Sequence, residues 1–496
     1  MRDEEVINGA LARPMDLARV GRITELTTAI EWSAAALTGA ALARQDALGA
    51  AGVRRGRRVV IAHGGTPQFF ADLFAIWSLG ACAACVNPDL TEGELANLTE
   101  FTEPVAVIAG PKTRSFSVAS PVAVLEGTTA MRAQRSGGLA IGGAPDDPAL
   151  ILFTSGTTGD PKGVVHTYGS LAARIALNHA HISRQTLART LCVLPTHFGH
   201  GLIGNCLTPL LAGGHVFLSA GGLAGAAKLG RHLAEHGITF LSSVPAFWKV
   251  ALKASPPPAE VTLRQVSIGS APVAADLVGA VAQWAGTQDV RNMYGITETA
   301  NWIAGGSLKD RRPEDGLIGP MWGGSAGVAG PGGSIAEEGE GEIVVRTPSL
   351  MSGYFKRPDL TDAVLRDGWY HTGDTGSVGP DGWLRLAGRL KTEINRGGLK
   401  VAPEEVDLLL ERHPAVAEAC AFGLADAVAG ETVAAAVRLV PGQTPGAEAL
   451  RAWCLARIRR ECVPERWFFV GEIPKTDRGK LNRDKVRTAC LESPKR

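Results

Sequence analysis

One ten-residue stretch narrows the possibilities for this chain more than any other: Thr154-Ser155-Gly156-Thr157-Thr158-Gly159-Asp160-Pro161-Lys162-Gly163. It follows an apolar run at 149–153 that reads as a buried strand. Glycines let backbone N–H groups turn toward an anion. The hydroxyls of Thr154, Ser155, Thr157 and Thr158 add donors, and Lys162 supplies a mobile point charge. A strand followed by such a loop suits a polyphosphate. It is not a Walker loop, because Asp160-Pro161 separates Gly159 from Lys162 where that motif needs Gly-Lys-Ser/Thr adjacent. A Gly/Ser/Thr-rich surface turn has the same composition, so other segments must decide between the two readings.

At 496 residues the chain is too long for one core and should divide into about three domain-sized units. The net charge of +1, from 50 basic and 49 acidic residues, gives no electrostatic case for nucleic acid or an anionic membrane. No apolar run approaches the ~20 residues of a membrane span, and the start Met1-Arg2-Asp3-Glu4-Glu5 lacks the order of a secretory signal. Eight cysteines over this length make no disulfide framework. Cys82-Ala83-Ala84-Cys85 has redox or half-zinc spacing. It sits in an apolar stretch with no second pair, and so reads as two core thiols. A reducing cytoplasmic setting is the expectation.

Residues 1–55 are alanine-rich with helical periodicity. From Arg57 strands and helices alternate: strands at 59–62, 83–86 and 105–109, helices at 69–79 and 92–99. This order predicts βαβ units and a mostly parallel sheet. A second such run follows, with strands at 191–194, 215–218, 239–242 and 266–268 and a helix at 226–236. From about Lys309 glycine-rich segments with short strands, such as 342–346, predict a small β-barrel. After Gly388 the pattern turns α+β, with a helix at 403–411 and strands at 419–422 and 432–439.

Three further segments carry chemistry. In Asn292-Met293-Tyr294-Gly295-Ile296-Thr297-Glu298-Thr299 a hydroxyl and a carboxylate stand side by side, able to bond a phosphate oxygen and ligate Mg²⁺. A Thr-Glu pair is also an ordinary capping box. In Tyr370-His371-Thr372-Gly373-Asp374-Thr375-Gly376, Asp374 stands on a tight turn where a carboxylate can accept both hydrogen bonds of a ribose diol. In Ile394–Glu405, Gly397 and Gly398 let a backbone approach a slim ligand, or simply make a hairpin.

Together with Ile473-Pro474-Lys475-Thr476-Asp477-Arg478-Gly479-Lys480, these segments resemble, in order and spacing, the motifs of the adenylate-forming superfamily: acyl- and aryl-CoA synthetases, luciferases and peptide-synthetase adenylation domains. The resemblance covers essentially the whole chain and is weakest over the first ~55 residues, where Arg22–Leu26 is similar to the family's short early motif. It implies an α/β protein with a large N-terminal domain at 1–388, made of two α/β subdomains and a β-barrel at about 310–388. A hinge at 389–392 and a mobile α+β domain at 393–496 complete it.

The resemblance also implies roles. The 154–162 loop would hold the ATP phosphates, Thr297 the α-phosphate and Glu298 the metal. The Asn292–Gly295 backbone and the Ser270-Ala271-Pro272 turn would line the adenine. Asp374 and Arg389 would hold the ribose, Lys391 would be the hinge, Gly397 and Gly398 would line the thiol tunnel, and Lys480 would neutralise charge during adenylation. Pro195-Thr196-His197-Phe198-Gly199-His200-Gly201 departs from the family pattern, with Phe198 where relatives carry a gating histidine. Family position places the acyl-pocket wall at Phe198, His200, Asn205, Phe247, Ser270 and Trp302, and no acidic residue stands there for an α-amino group. The implied enzyme is a ligase with Mg²⁺ as cofactor and ATP and coenzyme A as co-substrates. It would activate a carboxylic acid as acyl-AMP and pass it to coenzyme A or, alternatively, to a carrier protein's phosphopantetheine. Neither nucleic acid nor a membrane span is implied, and the expected state is a monomer or homodimer.

Overall fold

The computed structural model describes residues 15–110, 122–127, 137–154, 162–219, 222–330, 333–390, 392–396, 399–426, 430–476 and 481–492. The short apolar runs become central strands because helices cover both faces of a parallel sheet. Arg58–Ala62, Cys82–Cys85 and Ala106–Ala109 are buried along nearly their whole length. They lie in a seven-stranded sheet ordered Gly353–Tyr354, Lys162–Thr167, Pro148–Thr154, Cys82–Cys85, Arg58–Ala62, Ala106–Ala109, Ala123–Glu126. Helix Pro67–Ser78 starts at a Thr66 cap with a proline in its first turn, and is buried along its length from Pro67 to Trp77. Phe69, Phe74 and Trp77 share one core with helix Ala34–Ala50 and the sheet. The Trp77 ring N–H donates to the Ala149 carbonyl at 2.8 Å, so removing that side chain should cost ~3–5 kcal/mol.

A second, eight-stranded sheet has the order Trp302–Ser307, Val290–Gly295, Gln265–Gly269, Phe240–Ser243, Arg189–Cys192, His215–Leu218, Arg22–Glu25, Ile30–Trp32. Its edge departs from the helical expectation for 1–55. Arg22–Glu25 pairs parallel with His215–Leu218 and antiparallel with Ile30–Trp32, and only then does the chain form a helix, Ala34–Ala50. Close backbone approach makes this edge possible, since a Cβ on Gly21 would lie 1.7 Å from the Gly214 carbonyl oxygen. The expected helix at 226–236 begins instead as a 3₁₀ stretch, Gly222–Lys228, before Leu229–His236.

The glycine-rich segment forms a seven-stranded antiparallel sheet along the path Leu317–Gly319, Leu384–Arg389, Trp369–Val378, Gly339–Arg346, Ser325–Ala329, Ile335–Ala336, with Leu365–Arg366 on Trp369–Val378. Its apolar face packs Ile343 and Tyr370 with Val164 and Tyr354 of the first sheet and Tyr294 of the second, so all three sheets meet there. The strand Leu384–Arg389 runs one residue past 388. The C-terminal part has its own sheet, Leu399–Val401, Ile394–Arg396, Gly430–Leu439, Val416–Asp426, with Arg466–Phe469 alongside, and its own core under helix Pro403–Glu411. All eight cysteines are free and buried, and burial pushes the Cys82 thiol up to about 12. No helix of the described residues is long and apolar enough to cross a membrane.

Candidate active site

Strand Pro148–Thr154 runs antiparallel to Lys162–Thr167, with Thr154 opposite Lys162. Ser155, Gly156, Thr157, Thr158 and Gly159 of the expected phosphate loop lie outside the described residues, between these flanks. The Lys162 Nζ stands 3.6 Å from the centre of the Tyr354 ring. The Tyr354 hydroxyl donates to Glu298 Oε1 at 2.7 Å and lies 3.3 Å from the Tyr370 hydroxyl. Burial, then the Glu298 charge, hold the Tyr354 hydroxyl above its usual range.

Glu298 is placed by a tight turn. Strand Val290–Gly295 ends in the 3₁₀ turn Thr297–Thr299, closed by Ala300 at φ +68°. Six described non-glycine residues have positive φ, and two of them, Ser270 (φ +67°) and Ala300, flank this site. Backbone strain of this kind persists where surrounding contacts enforce it. His166 Nε2 donates to the Thr297 carbonyl at 2.8 Å, tying the turn to the phosphate-loop strand. Because that acceptor needs an N–H, the proton is on Nε2. Nδ1 has no hydrogen-bond partner among the described residues, and burial depresses the ring pKa to about 4.

Asp374 is 4% exposed. Its Oδ2 accepts from the Tyr294 hydroxyl at 2.6 Å and its Oδ1 from Arg389 Nε at 2.7 Å. The Asp374 charge raises the Arg389 pKa, and burial, then Asp374, hold the Tyr294 phenol well above its usual range. Asp374 and Arg389 sit opposite each other in the antiparallel ladder, so the pair is fixed by strand register. The Asn292 side-chain amide donates to the Leu317 carbonyl at 2.8 Å. Met293 is buried, and a Cβ on Gly295 would meet the Asn301 carbonyl oxygen at 2.2 Å, which explains the glycine.

At the expected acyl-pocket wall, residues His200–Leu207 form a π-helix, a rare element frequent at functional sites. His200 bridges two strand ends, with Nδ1 2.8 Å from Ser270 Oγ and Nε2 2.7 Å from Ser242 Oγ. Its ring meets the Trp302 ring edge-on at 5.5 Å. The Asn205 amide donates to the Ser242 carbonyl at 2.8 Å. Of the six wall residues, Phe198, His200 and Ser270 keep some surface, whereas Asn205, Phe247 and Trp302 are buried behind them. Phe247 belongs to the core beside Trp248. Ala271 and Pro272 continue the turn after strand Gln265–Gly269.

Lys391, Gly397, Gly398 and Lys480 lie outside the described residues. Their flanks are placed. Thr392 Oγ1 donates to the Arg389 carbonyl at 3.2 Å. Arg396 pairs with Leu399, and Lys475 bridges to Leu481. The end of helix Pro403–Glu411 meets the N-terminal part of the chain through Lys249–Glu411 at 2.5 Å and Arg412–Asp315 at 2.5 Å.

Tyr354, Tyr370 and His166 are the contributors that sequence reasoning did not single out. One signal was available: the chain has only four tyrosines, and Tyr294, Tyr354 and Tyr370 all touch the two site carboxylates or each other.

Tyr354, Tyr370 and Tyr294 thus link Lys162, the Thr-Glu turn and the Asp374–Arg389 pair into one cluster. Residues 27–355 match the AMP-binding enzyme family and residues 405–480 the AMP-binding enzyme C-terminal domain, and the chain belongs to that family. It is 35% identical to the oxalate–CoA ligase of Arabidopsis thaliana over 71% of this chain and 69% of that one. Identity to the feruloyl-CoA synthase of an Amycolatopsis species is 33% over 95% and 97%. The fold superposes on ATP-bound MatB from Rhodopseudomonas palustris with a TM-score of 0.86 at 25% identity, covering 98% and 99%. The protein is an AMP-forming acid–CoA ligase.

Proposed function

We propose that this ligase activates an uncharged-tail monocarboxylate of modest size, aromatic or cyclic rather than long-chain, and transfers it to coenzyme A. The acid's carboxylate attacks the α-phosphate of ATP and pyrophosphate leaves. The thiol then attacks the acyl-AMP carbonyl and AMP leaves. Thr297 would bond the α-phosphate, Asp374 the ribose diol, and Lys162 the outer phosphates. Glu298 would hold Mg²⁺, which supplies neutralisation of the phosphate charge. A lone carboxylate beside phosphate oxygens suits this ion, and the described residues contain no cluster of three or more metal-ligating side chains. Lys480 would act in the first step only. Reorientation about Lys391 would then bring Gly397 and Gly398 to the site, and the interdomain contact favours such movement. Its ion pairs are partly exposed, and such pairs contribute only ~0–1 kcal/mol each.

The observation that carries the acid class is the His200 bridge. His200 holds Ser242 and Ser270 and is backed edge-on by Trp302. The open part of the wall is therefore short, and two rings, Phe198 and His200, present themselves to a flat acid. None of the six wall residues is Arg or Lys. A second carboxylate would be desolvated without a cation at a cost of several kcal/mol. The whole-length likeness to a feruloyl-CoA synthase supports the same class. AMP release dependent on coenzyme A, measured over a panel of acids, tests the reading. Benzoate- to ferulate-sized acids should give the highest kcat/KM, and a higher value for oxalate or palmitate would overturn it. Acyl transfer to a holo-carrier protein but not to free coenzyme A would overturn the choice of thiol.

A further inference from the structure

Tyr354 belongs to none of the motifs singled out in the sequence, yet its side chain touches two charged groups of the site at once. It comes from the short strand Gly353–Tyr354, which pairs antiparallel with Val164 and Val165 of the phosphate-loop strand. That pairing puts its ring face under the Lys162 ammonium, 3.6 Å from the ring centre, and its hydroxyl 2.7 Å from Glu298 Oε1. The ring is 5% exposed and Tyr370 is 4% exposed. Tyr354 has a single hydroxyl proton and Glu298 accepts it. The Tyr370 hydroxyl at 3.3 Å must therefore donate to the Tyr354 oxygen. The resulting relay, Tyr370 to Tyr354 to Glu298, is polarised in one direction, and each bond strengthens the next.

We propose that Tyr354 is a positioning residue for the magnesium–triphosphate group. Its hydroxyl fixes the Glu298 carboxylate for the metal, and its ring fixes Lys162 for the phosphates. The geometry gives each end a separate role. A carboxylate that accepts one strong hydrogen bond on Oε1 is held in plane with Oε2 directed elsewhere. An ammonium over a π face is restrained by the ring quadrupole without giving up its three donors. The inference rests on the reading that Glu298 holds the metal, and the test separates the two.

Direct binding of ATP is measured by calorimetry, once with Mg²⁺ and once with the metal removed by chelation, and melting temperatures are recorded alongside. Tyr354→Phe keeps the ring and loses the hydroxyl. It should raise the Kd for MgATP about ten-fold, as expected for part of a charge-assisted hydrogen bond, and leave the Kd for metal-free ATP unchanged. Tyr354→Leu loses both ends and should also weaken metal-free ATP, by about two- to five-fold from the lost cation–π contact. Tyr370→Phe, one bond further back, should shift the MgATP value in the same direction and by less. Glu298→Gln serves as the control. If it does not weaken MgATP selectively, the metal reading fails. If it does while Tyr354→Phe binds MgATP like wild type, the hydroxyl role is overturned. Equal metal-free Kd values for Tyr354→Phe and Tyr354→Leu would overturn the Lys162 role. Should Tyr354→Leu not fold, the Phe variants still decide the first role. The chemical shift of the Lys162 ζ-methyls after reductive methylation, which ring current moves upfield only if the ammonium lies over Tyr354, decides the second.

Discussion

Glu298 and Asp374 are each held by the hydroxyl of a buried tyrosine, Tyr354 at 2.7 Å and Tyr294 at 2.6 Å. Asp374 in addition carries the Arg389 guanidinium at 2.7 Å, and that cation also feels the Glu298 charge from further off. The two acids also differ in backbone setting. Asp374 stands in the strand Trp369–Val378 opposite Arg389, where a ladder fixes it. Glu298 stands on a three-residue turn closed by a non-glycine residue at positive φ. A locally neutralised carboxylate can bond neutral hydroxyls such as a ribose diol without drawing in a cation. One whose cation stands further off can take a metal. The two sites thus use the same Tyr–carboxylate bond for different ends, and the arginine makes the difference.

Removing charge should therefore hurt the two sites unequally. Glu298→Gln keeps shape and loses the charge that the metal would need, so kcat/KM should fall ~10²–10³, as for a lost electrostatic contact to the transition state. Asp374→Asn should raise KM for ATP ~10-fold or more with a smaller change in kcat, the loss expected when hydrogen bonds to a charged group are weakened. Equal losses in kcat for both variants would erase the distinction. The hydroxyls sharpen it. Because Arg389 still orients Asp374, Tyr294→Phe should raise KM for ATP only ~2- to 5-fold, about the net worth of one hydrogen bond. A Tyr294→Phe defect as large as that of Asp374→Asn would mean that Arg389 contributes no orientation. Steady-state kinetics with varied ATP decides each case.

Glu298, Asp374 and Arg389 were legible in the sequence because each lies inside a compact motif whose neighbours shape its own turn. Tyr354 and His166 were not. Their partners, Lys162, Glu298 and Thr297, come from other elements, and the register that pairs Tyr354 with Val164 is not written in any local pattern. The same division runs through the fold. Apolar runs of four or five residues announce buried parallel strands, as at Arg58–Ala62 and Phe240–Ser243. The edge strand Arg22–Glu25 was hidden among alanine-rich helical sequence. Its polar Thr24 is buried only because its hydroxyl reaches His215 Nε2 at 2.7 Å, a contact 191 residues away. Phe247 and Trp302, which family position placed at a pocket wall, are buried, Phe247 in a core cluster and Trp302 against the His200 ring.

His166 offers the smallest and most specific way to separate the two carboxylate regions. It backs the Glu298 turn through the Thr297 carbonyl, and its ring pKa is depressed to about 4 by burial, from an ordinary value of 6.5. In the native protein the imidazole thus stays neutral where the unfolded chain would already take up a proton. The sign follows from linkage: the contribution is fully present above pH ~6.5 and is lost as pH falls toward 4, because the unfolded state binds the extra proton. Between pH 7.5 and 5.5 this one group should remove about 1 kcal/mol of stability. His215, also depressed to about 4 by burial, adds to the slope with the same sign, so the test is a difference. His166→Gln keeps an N–H donor for the Thr297 carbonyl and cannot titrate. Its melting temperature should drop less than that of the wild type over this pH interval. Parallel curves for the two proteins would show that His166 gains its proton as readily in the folded state as in the unfolded one, and that the Glu298 turn has no acid-sensitive support.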